Sequence, residues 1–295
     1  MESLILSPEY PFTQADLPAT LVDLLQIRAQ LNPVGQAYTW LADGLEEGPS
    51  GSLEGNLSYA GLDSRARALA VHLRTRMDLN PGDRVMLLYP PGLEFICGFF
   101  GCLYAGLIAV PAYPPRPNRA PDHLRDLASD AGISAALTCE SVWLLIQRQL
   151  PTSPNLARLA WSRTDRDLPN EYSTLAEGWT RPSIGPESIA FLQYTSGSTS
   201  APKGVVVSHG NILRNQWMIQ QYFRHDASTR VLGWLPLYHD MGLIGNLLQP
   251  LYLGVPCFLM PSLVFLQRPM KWLEAISRHR ITTSGGPNFG YVGRE

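Results

Sequence analysis

The chain has 295 residues, a formal net charge of −2 at pH 7, 45% apolar residues and only 16% charged ones, against about 25% charged in an ordinary soluble protein. This composition points to one large or two modest domains with a buried core and speaks against a disordered chain. With no basic run, it also excludes a sequence-independent grip on nucleic acid or anionic lipid.

Cys97, Cys102, Cys139 and Cys257 lie in apolar surroundings without C-x-x-C spacing. They read as buried reduced thiols of a cytoplasmic protein, not as a zinc site or a disulfide framework. The opening Met1-Glu2-Ser3-Leu4 has no basic region and no long apolar core, so no secretory leader is expected.

In chain order, Leu21, Leu24, Leu25 and Ala29 fall at helical spacing within residues 17–31, and the pattern stops before Asn32-Pro33. A strand is expected over 36–41, then a glycine-rich acidic loop over 44–56. Ser58 can cap a helix that carries Leu62, Ala66, Leu69, Ala70 and Leu73 on one face. Pro81-Gly82-Asp83 is a turn before a buried strand over 84–89, and Pro90-Pro91-Gly92 opens a helix that runs through Ala105. A strand over 107–110 leads into Pro111-Ala112-Tyr113-Pro114-Pro115-Arg116-Pro117, which reads as a stiff connector.

Helix over 122–131, strand over 134–138, helix over 140–149 and strand over 157–161 follow. Residues 164–188 are polar and poorly periodic, so a subdomain seam is expected there: 1–188 as a first α/β subdomain and 189–295 as a second. The second would hold buried strands on either side of a polar loop, a helix over 211–223, strands over 230–234 and 281–284, and a helix over 269–280. The uncharged runs 95–113 and 241–267 are broken by glycine or proline, so they read as buried helix–turn–strand units with no membrane span. Strands alternating with helices imply an α/β fold of layered, largely parallel sheets flanked by helices.

The most informative stretch is Gln193-Tyr194-Thr195-Ser196-Gly197-Ser198-Thr199-Ser200-Ala201-Pro202-Lys203-Gly204, in which five of twelve residues carry a small hydroxyl side chain. Such a loop can aim backbone N–H groups, hydroxyls and one ammonium at a polyphosphate. A Walker A loop is ruled out because Pro202 stands before Lys203, where it removes a donor, and because Gly204 and three valines follow where Ser/Thr and a helix are required. Ser200-Ala201-Pro202-Lys203 also spells the S-x-x-K of serine β-lactamases, but their S-D-N and K-T-G partners are missing. The bland alternative is a solvated polar hairpin.

Downstream, Gly233-Trp234-Leu235-Pro236-Leu237-Tyr238-His239-Asp240-Met241-Gly242-Leu243 delivers an aromatic, an imidazole and a carboxylate into a glycine-bearing turn. His239 can donate to charge developing on a transferring group; alternatively it is a core histidine satisfied by a carbonyl. Ser284-Gly285-Gly286-Pro287-Asn288-Phe289 is a small-residue turn after a strand, compatible with close ligand approach.

Together, Tyr194 to Thr199 with Pro202-Lys203-Gly204 resemble the phosphate-binding signature of the adenylate-forming enzymes, the acyl-CoA synthetase and AMP-ligase superfamily. The run L-P-L-Y-H-D-M-G-L-I-G, with Pro90-Pro91-Gly92-Leu93-Glu94-Phe95, Val110 to Pro115 and Ser284 to Phe289, is similar to its fatty-acyl-AMP ligase branch. The resemblance covers nearly the whole chain but only about the N-terminal half of such an enzyme, and implies the fold of the family's large N-terminal domain, truncated and without the C-terminal lid domain. It implies ATP and Mg²⁺ as cofactors, with Thr195, Ser196, Gly197, Ser198, Thr199, Lys203 and Gly204 holding the nucleotide phosphates and Thr199 on the metal. Tyr238, Asp240, Met241, Gly242, Gly286, Pro287, Asn288 and Phe289 would meet the acyl substrate, and His239 and Lys203 would be catalytic.

The implied reaction is attack of a fatty carboxylate on the α-phosphorus of ATP, with an acyl carrier protein or polyketide synthase module as acceptor. A carboxylate is ionised at neutral pH, so no general base is needed. As an isolated chain, weak or absent adenylation is expected. Two other readings remain: half of a long-chain acyl-CoA synthetase, and a non-catalytic module that binds acyl groups or carrier protein.

Overall fold

A computed structural model describes residues 12–50, 53, 55–115, 121–168, 172–195 and 203–291. Among them the strands in chain order are β1 (Gln36–Trp40), β2 (Asn56–Ser58), β3 (Arg84–Leu88), β4 (Ile108–Pro111), β5 (Ile133–Thr138), β6 (Ala160–Arg163), β7 (Ile189–Thr195), β8 (Lys203–Ser208), β9 (Val231–Gly233), β10 (Cys257–Leu259) and β11 (Thr283–Ser284). They form two sheets, in the orders β11-β9-β10-β1-β2 and β6-β5-β3-β4-β7-β8. Every neighbouring pair is parallel except β1–β2 and β7–β8. The mixed α/β architecture with two helix-flanked sheets agrees with the expected fold class.

The chain divides into two compact units, residues 1–61 with 211–295 and residues 62–210. This differs from the expected boundary at 188/189. β7 pairs with β4 through Phe191 and Ala109, so the strand expected to open a second body completes the sheet of the preceding one.

In the unit 62–210, Val85, Met86, Leu87 and Leu88 of β3 and Ala135, Ala136 and Leu137 of β5 are fully buried. Continuous apolar runs are what a parallel sheet covered on both faces requires. The helix Leu93–Tyr104 is buried along its whole length, which explains a run of apolar residues on all sides where an amphipathic stripe would normally stand. The expected strand at 157–161 lies later, at Ala160–Arg163, because Pro154 starts a short helical turn over Pro154–Ala157. A second correction concerns β8. Lys203, Gly204, Val205 and Val206 are exposed, because the triple valine sits on a terminal strand of its sheet and not in the interior.

In the other unit the first helix is Leu21–Leu31. Thr20 Oγ1 accepts from the Asp23 N–H at 3.1 Å and the Asp23 carboxylate accepts from the Thr20 N–H at 3.0 Å, a reciprocal capping box that fixes the start. Leu41, Leu232, Trp234, Phe258, Met260, Phe265 and Trp272 form a buried cluster. Arg28 is 3% exposed; its Nε donates to Leu251 O at 3.1 Å and its Nη2 to Tyr252 O, and its guanidinium lies 5.0 Å over the Phe12 ring. At the end of the helix Gln249–Leu253 it thereby supplies a donor to Tyr252 O and a second one to Leu251 O, which also accepts from the Gly254 N–H.

The four cysteines are buried and unbridged, and among the described residues no helix is long and apolar enough to cross a membrane. Removal of the Arg28 side chain (Arg28→Ala) takes the guanidinium donor from Tyr252 O and leaves Leu251 O with the Gly254 N–H alone. It is expected to destabilise the unit 1–61/211–295 by about 2–4 kcal/mol, read as a lower midpoint in denaturant unfolding followed by tryptophan fluorescence.

Candidate active site

The sequence-derived site residues fall on three local structures. The first is the β7–β8 hairpin in the unit 62–210. Residues 196–202, and with them Ser196, Gly197, Ser198 and Thr199, lie outside the described residues. The stem is described. Thr195 and Lys203 are register partners at its mouth, followed by Tyr194 with Gly204 and Gln193 with Val205. Strand alternation puts Lys203 on the face opposite Gly204.

Gly204 is required by close approach. A Cβ there would come within 2.8 Å of Tyr194 Cζ and 2.9 Å of its Cε2, so the tyrosine ring lies across the glycine. The Tyr194 hydroxyl donates to Asp130 Oδ2 on the helix Asp122–Ala131. Desolvation first, and then this hydrogen bond, raise the Tyr194 phenol well above its ordinary range.

The second local structure lies in the other unit, where β9 runs through Trp234 into Leu235-Pro236-Leu237-Tyr238-His239-Asp240. The His239 N–H donates to Pro236 O at 3.1 Å and closes a tight turn. A helix over Met241–Leu248 follows, wound more widely than an α-helix; the Gln249 N–H reaches back five residues to Ile244 O. Such widened turns are uncommon and recur at functional sites. Gly242 is pressed against the turn: a Cβ there would lie 2.1 Å from Pro236 O, a clash with backbone that no rotamer relieves.

Asp240 Oδ1 lies 2.8 Å from His239 Nδ1 and accepts from the Met241 N–H at 2.7 Å. One carboxylate thus orients the imidazole and starts the helix, where an anion is favoured. The His239 and Asp240 side chains are 64% and 56% exposed, so neither is a buried core residue, contrary to the bland reading of His239. Met241 is also exposed, and Tyr238 is half-buried.

The third is the turn after β11. Pro287 precedes a single helical turn over Asn288–Gly290. A Cβ on Gly286 would fall 2.4 Å from Trp234 Cζ2, so this glycine lets the backbone lie on the indole. Phe289 is exposed and meets the Trp234 ring edge-to-face at 6.0 Å, while Phe265 stacks beneath at 3.8 Å. Trp234, which the motif includes but to which the sequence reading gave no role, brings Gly286 and Phe289 to the strand that delivers His239. Its position directly before the Leu-Pro turn was the one available signal. Asp130 was also missed, and it lies 64 residues from Tyr194 with no motif of its own.

An exposed ammonium at a hairpin mouth and an exposed imidazole held by a carboxylate are donor groups suited to phosphate oxygens. Among the described residues no group of three or more His, Cys, Asp or Glu side chains gathers to hold a metal. Mg²⁺ usually keeps waters and phosphate oxygens as most of its ligands, so a protein cage is not a requirement for it here.

The AMP-binding enzyme family model matches residues 39–289, and the chain belongs to that family. It is 41% identical over 277 residues to the medium-chain-fatty-acid–[acyl-carrier-protein] ligase JamA of Moorena producens, covering 92% of this chain and 45% of that protein. It is 32% identical over 282 residues to the long-chain-fatty-acid–AMP ligase FadD23 of Mycobacterium tuberculosis, covering 92% and 46%. Among solved structures, a fatty acyl-adenylate ligase from Legionella pneumophila in complex with acyl adenylate and pyrophosphate superposes with a TM-score of 0.81 at 37% identity, over 92% of this chain and 45% of that one. The chain therefore spans a little under half the length of these relatives.

The Asp240 carboxyl is held below its ordinary value, chiefly by the His239 hydrogen bond. A depressed folded value means that the interaction contributes above the unfolded value of about 4 and is lost as pH falls through the folded one. Carboxyl ¹³C titration should give an Asp240 midpoint below that of a free aspartate, and His239→Ala should move it upward; an unmoved midpoint would show that the imidazole does not hold the carboxylate.

Proposed function

We propose that these residues belong to a ligase that adenylates a fatty acid with ATP and passes the acyl group to an acyl carrier protein, free or within a polyketide synthase module. The observation that carries this reading is similarity along nearly the whole chain to relatives named as fatty-acid ligases. Lys203 at the hairpin mouth and the His239–Asp240 pair after the Leu-Pro turn support it.

In the proposed reaction a carboxylate oxygen of the fatty acid bonds to the α-phosphorus of ATP, and the bond from that phosphorus to the bridging oxygen breaks. Acyl-AMP and pyrophosphate result. The nucleophile is already ionised, so the protein supplies position and charge stabilisation and has no proton to remove. Lys203, with the backbone and hydroxyls of Thr195 to Thr199, would hold the β- and γ-phosphates. His239, oriented through Nδ1 by Asp240, would in its doubly protonated form present the Nε2–H to charge building on the α-phosphate. Donors of this kind contribute about 10²–10³ in rate. Mg²⁺, carried by phosphate oxygens, water and the Thr199 hydroxyl, would neutralise the phosphate chain. The turn at Gly286-Pro287-Asn288-Phe289, seated on Trp234, and the segment Tyr238 to Gly242 would border the acyl group.

In a second step the acyl carbonyl carbon would be attacked by a thiolate of the carrier, with AMP leaving. Free coenzyme A as acceptor would make the protein an acyl-CoA synthetase instead. Comparing the two thiols as acceptors separates these readings. The reaction is assigned to the cytoplasm, where ATP and reduced thiols are available.

Calorimetry on this chain should detect binding of pyrophosphate with Mg²⁺, weakened by about tenfold or more in Lys203→Ala; unchanged affinity would return the loop to an ordinary polar hairpin. Fatty-acid-dependent ATP–pyrophosphate exchange by the 295-residue chain should run far below that of a full-length relative. Equal turnover would show that these residues suffice for adenylation.

A further inference from the structure

Tyr194, the last residue but one of β7, has been given no role above. Three independent features converge on it. Tyr194 and Gly204 are direct register partners, next to the Thr195–Lys203 pair. The ring occupies the space that a Cβ on Gly204 would need. The hydroxyl is hydrogen-bonded to Asp130 on the helix Asp122–Ala131, whose Leu124, Leu127, Ala128 and Ala131 are buried.

Two physical points make this arrangement more than local packing. Asp130 stands in the last turn of its helix, where the helix dipole disfavours an anion; its place there helps the helix not at all, and the Tyr194 hydroxyl compensates it. β8, for its part, is a terminal strand with Lys203, Gly204, Val205 and Val206 exposed. Among the described residues, the ladder to β7 and the Tyr194 ring are the contacts that hold its first residues. An aromatic ring laid over a cross-strand glycine stiffens a ladder that the glycine alone would weaken. The phenol, pushed well above its usual range by desolvation and by Asp130, stays protonated as the donor across the neutral range.

We propose that Tyr194, hydrogen-bonded to Asp130 and laid across Gly204, is a positioning residue that sets Lys203 for phosphate binding. The ring fixes the backbone at Gly204 on one face of the hairpin. Lys203, one residue earlier and on the opposite face, is thereby held at a defined height and direction at the mouth. The inference rests on the phosphate-binding reading of Lys203.

The test is a double-mutant cycle on the full 295-residue chain, with pyrophosphate and Mg²⁺ as the probe in calorimetry. Tyr194→Phe keeps the ring and removes the hydrogen bond, and should weaken binding by about tenfold, the effect of one lost bond to a charged group. Asp130→Ala should do the same, and Asp130→Asn, whose amide oxygen still accepts, should restore most of the loss. In a Lys203→Ala background, Tyr194→Phe should add less than about twofold, because it acts through Lys203. Unchanged affinity in Tyr194→Phe, or an equal loss in both backgrounds, would overturn the proposal.

If the unsubstituted chain does not bind pyrophosphate at all, the adenylation reading fails by itself. The positioning role is then decided by amide hydrogen exchange. Tyr194→Phe should speed exchange in residues 203–208 by about tenfold and leave β3 and β5 unchanged; equal protection would overturn it.

Discussion

The antiparallel register between β7 and β8 is the constraint on which the placement of Lys203 depends. Side chains alternate along a strand, so a slip of one residue would carry Lys203 to the opposite face and Gly204 out from under the Tyr194 ring. The register Thr195–Lys203, Tyr194–Gly204, Gln193–Val205 is held from two directions. On the inner side β7 is paired to β4, and Ala190 and Phe191 are fully buried. At the mouth, the glycine admits only a register in which the tyrosine lies over it. The hairpin thus has a stem of fixed register at the edge of a largely parallel sheet.

The turns that carry His239 and Gly286 in the other unit are organised by a different device, a tryptophan used as a platform. Trp234 continues β9 and is 3% exposed. Phe265 supports one side of its ring, and Gly286 and Phe289 pack against it. From the same residue the chain passes through the Leu-Pro turn to His239, so a single side chain ties the small-residue turn after β11 to the strand that carries the imidazole. The widened helix from Met241 and the contact of Gly242 with Pro236 O follow from this tight turn, since backbone occupies the space a side chain would need.

Asp240 shows how few groups are needed to define the exposed pair. Its carboxylate receives one bond from the imidazole and one from the Met241 N–H. Both bonds favour the charged form, the first more strongly, and the carboxyl is depressed accordingly. An imidazole so held has a set direction in the absence of burial, which a donor aimed at developing charge requires.

Residue order alone determined the α/β class, the strand–helix alternation and most element limits, because period, proline, glycine and capping residues act over a few neighbours. Ser58 before the helix Tyr59–Thr75 is an instance. It also marked the family, since the hydroxyl-rich loop and the Tyr238-His239-Asp240 turn are contiguous in the chain. What it misjudged was decided at long range. The triple valine looks like an interior strand by composition, yet its exposure depends on which strand lies beyond it, and in this sheet β8 is terminal. The boundary at 188/189 followed a polar stretch, whereas β7 takes its place through a partner some eighty residues earlier. Asp130 beneath Tyr194 and Trp234 beneath Gly286 likewise exist only as tertiary contacts: a side chain's partner across a fold depends on strand order and helix placement, and neither is written in its sequence neighbourhood.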